Sequence, residues 1–465
     1  MKVQASRFFR KKADCFVFAG LWILFGYFFL FREVKELGDS FQYLNQMISR
    51  EPVYALLLQI LTKLFGEHYT IPLSFLQNIL AIISTYWLYY RITELFSFNP
   101  VFETGCAIIL VSPHLITPFA AKSGMIITNS VLTEGIALSL YYIWAGMLLT
   151  LLLDRYEKKK GKRIITIMLL SVFLSMIRGQ LMICIIVWMI VTGWCMIRDG
   201  KYKQILLVVV ATALCFVGKT QLTKCYNYLE SGLYVNTVSS KPMILSNLLY
   251  LSDTEDGKQI EDERLRKAYE NMVSEVEKQG LSVKNAKGNL LQRAQFHESG
   301  HETINFDIIV PNLNQYISYK YGITESDYQR LLIKQDEYAG EIFQAVIGKN
   351  IPAFLKNYFV IASLGFVRSV AIDRAFLPYF AVAVYLLVVI LILLLLMKNH
   401  RSPSAWFMLF VLLLICGTVF GTSIMIECIS RYMIYNLPLF YIAGMTMLVE
   451  FGDSRKMKGK KENGI

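Results

Sequence analysis

The chain has no Cys-x-x-Cys and no two cysteines close together in a polar segment, so neither a zinc ribbon nor a disulfide framework is written in it. Of its eight cysteines, Cys15, Cys106, Cys184, Cys195, Cys215 and Cys416 lie inside apolar runs, where a thiol behaves as a small hydrophobe. Cys225 and Cys428 remain, and spacing alone does not pair them; two free thiols is the simpler expectation. There is no glycine-rich phosphate loop and no nucleophile elbow, which removes the usual signatures of nucleotide hydrolysis and of serine hydrolases. No internal repeat and no low-complexity tract appears. No small-residue cleavage site follows the first apolar run, because Phe31-Arg32-Glu33 comes at once. That run reads as a retained helix rather than a secretory signal.

What is there is apolar. Hydrophobic residues make up 55% of the 465, with 27 Tyr and 30 Phe, whereas ordinary soluble chains hold roughly 45–50% apolar residues. About ten runs approach the length that a helix needs to cross a bilayer, roughly 20 residues. The predicted spans are 14–31, 71–90, 100–119, 131–153, 164–177, 181–197, 204–221, 376–397, 404–424 and 433–450. The net charge of +12 does not signal nucleic acid, because the basic residues collect in short loops between spans, as the positive-inside bias dictates. Lys2, Arg7, Arg10, Lys11 and Lys12, the loop 154–163 (DRYEKKKGKR), the group Arg198, Lys201 and Lys203, and the tail 455–461 (RKMKGKK) all fall on one side under this count.

The expectation is therefore an all-α polytopic membrane protein of a bacterial-type plasma membrane, embedded in the lipid bilayer, with both termini cytoplasmic. Residues 1–221 form an N-terminal transmembrane module, 222–350 an extracytoplasmic and mostly helical insertion, 351–450 the C-terminal transmembrane helices and 451–465 a basic tail. In the first outer loop, 32–70, the stretch 53–65 (VYALLLQILTKLF) is short and carries Lys63; it reads as an amphipathic helix lying at the interface.

Four polar features sit at the same predicted outer face. They are Gly38-Asp39-Ser40-Phe41-Gln42-Tyr43, Arg50-Glu51-Pro52-Val53-Tyr54, Leu132-Thr133-Glu134-Gly135 and Ser430-Arg431-Tyr432. Each has an ordinary explanation taken singly: arginines snorkel, and an acid in a first helical turn complements the dipole. Two carboxylates, two arginines and several tyrosines on one membrane surface suggest chemistry there instead.

Order and spacing of these features resemble the C-type glycosyltransferases, membrane enzymes that draw sugars from polyprenyl- or dolichyl-phosphate carriers and include the protein O-mannosyltransferases and the lipid A aminoarabinose transferases. The resemblance rests on a basic N-terminus, one helix, then Asp39-x3-Tyr43. Arg50-x-Pro52-x-Tyr54 with Lys63-Leu64-Phe65-Gly66, Thr133-Glu134, Ile177-Arg178-Gly179-Gln180, Lys349-Asn350-Ile351-Pro352, Arg431-Tyr432 and Leu437-Pro438 continue it. It implies an active site between the 32–70 loop, the head of the fourth span and the 425–432 turn. It also implies a polyprenyl-phosphate-linked sugar as donor and a cell-envelope polymer, lipid or protein as acceptor. Asp39 is the implied catalytic base, because an attacking hydroxyl must shed a proton. Arg431, with Tyr432 and Arg50, would hold the donor phosphate through paired donors. Glu134 would orient the acceptor or assist a divalent cation such as Mg or Mn, and Tyr43, Tyr54 and Arg178 are further candidates. Many members carry a second acid beside the first, whereas this chain has Ser40, so a two-carboxylate metal site is not implied in this loop. A transporter or flippase of lipid-linked sugars is the alternative of another class. It should place polar residues deep in its helices, whereas spans 14–31, 376–397 and 433–450 are almost purely apolar.

A separate pattern, His297-Glu298-Ser299-Gly300-His301, formally matches the zinc-protease signature, in which His297 and His301 would share a metal one helical turn apart and Glu298 would activate water. Gly300 weakens a helix there, the flanks lack a convincing apolar face, and a five-residue pattern with two free positions arises by chance in roughly one chain per hundred. A metalloprotease is the lesser alternative.

Overall fold

The computed structural model describes residues 2–96, 98–120, 124–154, 160–371, 377–425 and 428–462. Residues 155–159 of the basic loop and 426–427 of the turn before the last helix lie outside them. No strand occurs among the described residues beyond one parallel bridge between Lys35 and Ser130. The chain is an all-α polytopic membrane protein. Hydrocarbon offers the backbone no hydrogen-bond partners, so each crossing segment must satisfy its own, which a helix does.

The elements, in chain order, are α1 (Lys2–Phe31), α2 (Pro52–Phe65), α3 (Thr70–Phe96), α4 (Pro100–Ala120), α5 (Glu134–Leu153), α6 (Lys160–Ile177), α7 (Ile183–Arg198) and α8 (Lys203–Ser231). The insertion follows with α9 (Ser240–Leu249), α10 (Glu263–Lys278), α11 (Leu290–Glu302) and α12 (Val310–Tyr321). The last four are α13 (Tyr328–Val370), α14 (Leu377–Lys398), α15 (Pro403–Ser423) and α16 (Leu437–Glu462).

Nine described helical stretches are long and apolar enough to cross a membrane. All but one fall on a predicted span; the exception is Glu325–Val370. Two predicted spans are absent from the nine. Helix α6 opens on Lys160, Lys162 and Arg163, and the apolar part of α16, Leu437–Gly452, is shorter than the rest. Helix α5 is the hub: it packs against α3, α6 and α7, and Trp144, Leu148 and Leu151 on it are fully enclosed. Its close approach to α3 depends on Gly146, where a β-carbon would stand 2.6 Å from the Trp87 ring. Helix α14 is the opposite case, with Leu386, Leu387, Ile390 and Leu393 more than half exposed. Such a face is stable against lipid and costly against water.

Helix α2 buries Tyr54, Ala55, Leu58 and Leu61 and exposes Leu56, Ile60 and Leu64. Helix α2 thus packs one apolar stripe on the bundle and leaves a second open, and with α3 it makes up one apolar helical stretch, Pro52–Phe96, long enough to cross a membrane.

The insertion has a core of its own, built from Leu245, Leu249, Leu265, Tyr269, Met272, Ile309, Ile317 and Ile342. Its last element, α13, is a single helix of 43 residues that runs straight through residue 350 and through Pro352. The composition changes at that point, but the backbone does not. At its far end α13 lies against the bundle: Tyr358 stacks on Phe420 of α15 with ring centroids 6.0 Å apart, and Tyr385 of α14 donates to the Phe366 carbonyl at 3.1 Å. Helix α8 likewise continues past residue 221 to Ser231.

Candidate active site

The loop after α1 is pinned to the head of α5 before it presents any functional group. Lys35 and Val131 exchange backbone bonds with Asn129 and Lys35, both at 2.9 Å. Asn129 Nδ2 donates to the carbonyls of Phe28 and Arg32 at 2.8 Å. The Ser40 hydroxyl accepts from Leu37 N and donates to the Val131 carbonyl. Ser40 therefore acts as a latch between the loop and the segment leading into α5.

Asp39 projects from this platform between two arginines. Its Oδ1 accepts from Arg50 Nη2 and its Oδ2 from Arg431 Nη2, each at 2.7 Å. Arg50 also donates from Nε to Gln42 at 2.8 Å and lies over the Tyr43 ring, 5.2 Å from its centroid. Tyr43 in turn meets Tyr54 edge to face at 5.2 Å. Asp39, Arg50 and Arg431 each keep about a quarter to a third of the side chain exposed.

Behind Asp39 lies Glu134, buried at 3% exposure in the first turn of α5. Arg178 Nη1 approaches its Oε1 at 2.6 Å and the Thr133 hydroxyl at 3.2 Å, while Arg431 Nε stands 3.7 Å from the same Oε1. The Tyr432 ring carries both guanidinium groups, Arg178 at 4.7 Å and Arg431 at 5.3 Å. Arg431 thus bridges the two acids. Burial by itself would raise the Asp39 pKa, but Arg50 and Arg431 outweigh it and hold the carboxyl below its usual range.

Every residue singled out near this rim is brought together: Asp39, Tyr43, Arg50, Tyr54, Glu134, Arg178, Arg431 and Tyr432 come from five separated stretches of chain and meet. Two carboxylates among three guanidinium groups leave one positive charge in excess. That balance suits an anion, and with Asp39 and Glu134 both already facing arginines it does not suit a Mg or Mn ion.

His297 and His301 form no such centre. Both are buried on α11; His297 packs edge to face on Tyr250 at 4.7 Å, and the two rings lie 5.7 Å apart. Glu298 points away, into a two-pronged pair with Arg368, 2.8 Å on each oxygen. Among the described residues no three His, Cys, Asp or Glu side chains are grouped to hold a metal. Burial lowers the two imidazoles to about 3 and about 4, so both are neutral core residues at physiological pH. Cys225 is exposed and Cys428 buried against the hydroxyls of Thr422 and Ser423, and both thiols are free.

One pair was not anticipated. Lys219 on α8 reaches Glu51 at 2.8 Å, with both side chains under 10% exposed. The signal was present: Thr212, Lys219, Thr223 and Asn227 recur at one- and two-turn spacing along α8, a buried polar stripe in a helix otherwise apolar.

Comparison with protein-family models, curated proteins and solved structures returned no match for this chain.

Proposed function

We propose that this protein is a membrane glycosyltransferase that moves a sugar from a polyprenyl-phosphate carrier to a cell-envelope acceptor, at the extracytoplasmic face of a plasma membrane. The reading rests on one observation: a carboxylate, Asp39, held at a bundle rim by two arginines from distant segments, in a cluster with one excess positive charge. A lipid-linked sugar phosphate places its phosphate and anomeric carbon at that depth.

In the resting arrangement Asp39 fills the place of an anion between Arg50 and Arg431. A donor phosphate entering the site competes for the same donors, and Arg431, which also touches Glu134, is the one suited to follow the phosphate. Released from part of its counter-charge, Asp39 becomes a stronger base. The acceptor oxygen then bonds to the anomeric carbon while its proton passes to Asp39. The bond between that carbon and the phosphate oxygen breaks, and its electrons leave with the phosphate against Arg431. Direct displacement inverts the anomeric centre. Arg178, paired with Glu134, holds the Tyr432 ring on which Arg431 moves.

The test is transfer of radiolabelled sugar in membranes holding wild type or Asp39→Asn at matched levels, over a panel of polyprenyl-phosphate sugars. Loss of transfer in the variant by about 100-fold or more is expected, the scale at which a general base contributes. Transfer that survives in Asp39→Asn removes the base from this residue and with it the mechanism.

A further inference from the structure

Both acids of the cluster depend on one short segment, 126–134, and buried amides hold that segment from inside the bundle. Asn129 is 1% exposed, and each of its polar atoms has a partner. Its Nδ2 donates to the Phe28 and Arg32 carbonyls at 2.8 Å, which closes the end of α1, where carbonyls find no partner within the helix. Its Oδ1 accepts from Asn78 Nδ2 at 3.1 Å and from the Thr128 hydroxyl at 3.3 Å. The Asn129 carbonyl accepts from Lys35 N at 2.9 Å, and its N donates to the Ile126 carbonyl at 3.0 Å. Two carbonyls facing the nitrogen settle which way round the amide sits, because only an NH2 group can serve both.

Helix α3 supplies the support. Its neighbouring residues Gln77 and Asn78 are 0% and 3% exposed. Gln77 Nε2 donates to the Ser130 carbonyl at 3.1 Å, and its amide fills the space over Gly135, where a β-carbon would stand 1.8 Å from Gln77 Oε1. Asn78 Nδ2 divides between Asn129 and Ser74, whose carbonyl lies 2.9 Å away. Amides are costly to bury unless they are bonded. Here the bonds go to the backbone that leads to both acids. Val131 N donates to the Lys35 carbonyl at 2.9 Å, and the Ser40 hydroxyl, next to Asp39, donates to the Val131 carbonyl at 2.7 Å. Glu134 opens α5 at the end of the same segment.

We propose that Asn129 is a positioning residue of the site: its side chain, steadied by Asn78 with Gln77 alongside, sets the register of the Asp39 loop against the head of α5. It acts through the Lys35–Ser130 bridge and Ser40, and touches no reacting atom. This rests on the glycosyltransferase reading above and adds to it what keeps the base in place. Proton transfer needs the base within hydrogen-bond reach, and a misplacement of about 1 Å caused far from the chemistry can cost about a hundredfold in rate.

The test compares wild type with Asn129→Asp, full-length and in lipid nanodiscs, by hydrogen exchange and by sugar transfer over the panel of polyprenyl-phosphate donors. The substitution keeps the size of the side chain and leaves at most one donor for two carbonyls. Mass spectrometry should show the amides of 33–41 exchanging about tenfold faster or more. Transfer should lose about tenfold to a hundredfold in kcat, with little change in donor KM, since Arg431 comes from another segment. The acid limb of kcat/KM should move to higher pH as Asp39 slips from its arginines. Ser171→Ala is the control for a purely stabilising bond: it removes the buried contact from Trp144 Nε1 at 2.8 Å and should move neither the limb nor exchange at 33–41. Asn78→Leu, on α3, should reproduce the Asn129→Asp pattern in weaker form and serves as the test if Asn129→Asp does not fold, which melting temperatures check. Unchanged exchange at 33–41, or faster exchange with kcat and the acid limb unmoved, overturns the positioning role while the glycosyltransferase reading stands. If wild type transfers no sugar from any carrier, that reading falls and the role with it.

Discussion

Asp39 shows how a residue's surroundings decide its role. Alone, an aspartate between two apolar segments is a solvated loop residue. Flanked by Arg50 and Arg431 at 2.7 Å it is an ion held below its normal pKa. The sign follows from linkage: a carboxyl whose folded pKa is depressed contributes stability above its unfolded value, about 3.9, and loses it as pH falls through the lower folded value. In the free protein the acid limb of kcat/KM assigned to Asp39 should therefore lie below about pH 4. Once a donor phosphate has drawn Arg431 away, the limb in kcat should stand at higher pH than the limb in kcat/KM. Coincident limbs in a pH series would show that the arginines do not change partners. Arg178→Lys provides a second check. It keeps the charge but loses the planar fork that spans Glu134, Thr133 and the Tyr432 ring. Transfer should drop by roughly tenfold to a hundredfold, the equivalent of one charge-assisted hydrogen bond at about 1.5–3 kcal/mol. Glu134, Arg178 and Arg431 were legible in the sequence because each interrupts apolar sequence at the end of a span, and Asp39 and Arg50 because they lie in the loop that follows the first one. The Glu51–Lys219 pair was not, since Lys219 sits inside a run that hydropathy averages into a plain span, and only its helical register with Thr212, Thr223 and Asn227 sets it apart.

Among the elements, α11 and α13 diverge furthest from what local sequence suggests. The His-Glu-x-x-His pattern is helical as expected, but α11 turns both imidazoles into the interior and the glutamate out toward Arg368. A short pattern fixes spacing and leaves the direction of a face to tertiary packing. Two buried imidazoles lowered to about 3 and about 4 favour their neutral forms. Their contribution is complete above the unfolded value of about 6.5 and declines as pH falls from there, because the unfolded chain takes up protons first. Thermal melting of the protein should weaken between about pH 6.5 and pH 4, and the pair His297→Phe/His301→Leu should flatten that slope. A slope unchanged by the double substitution would assign the acid sensitivity elsewhere. In α13, Pro352 and the change from charged to apolar residues read as a boundary at 350, yet the helix passes through. Proline removes one hydrogen bond, and the packing of Leu331, Ile342, Val360 and Leu364 on either side outweighs that loss. Near its end Arg368 holds both Glu298 and the Cys428 carbonyl, the latter at 3.1 Å. Arg368→Ala should cost on the order of 1–3 kcal/mol and expose α11 to limited proteolysis. Unchanged cleavage would mean that this clamp is not what fastens the insertion.

For the whole molecule, the orientation we propose rests on charge patterning of the loops, with the basic loops inside. In it the insertion and the Asp39 cluster share one face, opposite the basic turn at Lys398 and Arg401. A cysteine placed at Lys278, exposed on α10, should react with a membrane-impermeant maleimide in intact cells, and one at Arg401 only after lysis. The reverse labelling would invert the orientation and put the cluster in the cytoplasm. Fold class and most spans were open to sequence reasoning because hydrocarbon imposes length and composition directly. The insertion's architecture was not, since amphipathic soluble helices do not state which faces they will share.

Helix α13 also makes a mechanical statement. At about 1.5 Å per residue, its 43 residues form a rod of roughly 65 Å, seated at one end in the insertion's core and at the other against the segment that carries Arg431. One uninterrupted backbone thus joins the insertion's core to the turn that carries Arg431, and a distortion at either end meets no loop between them in which to relax.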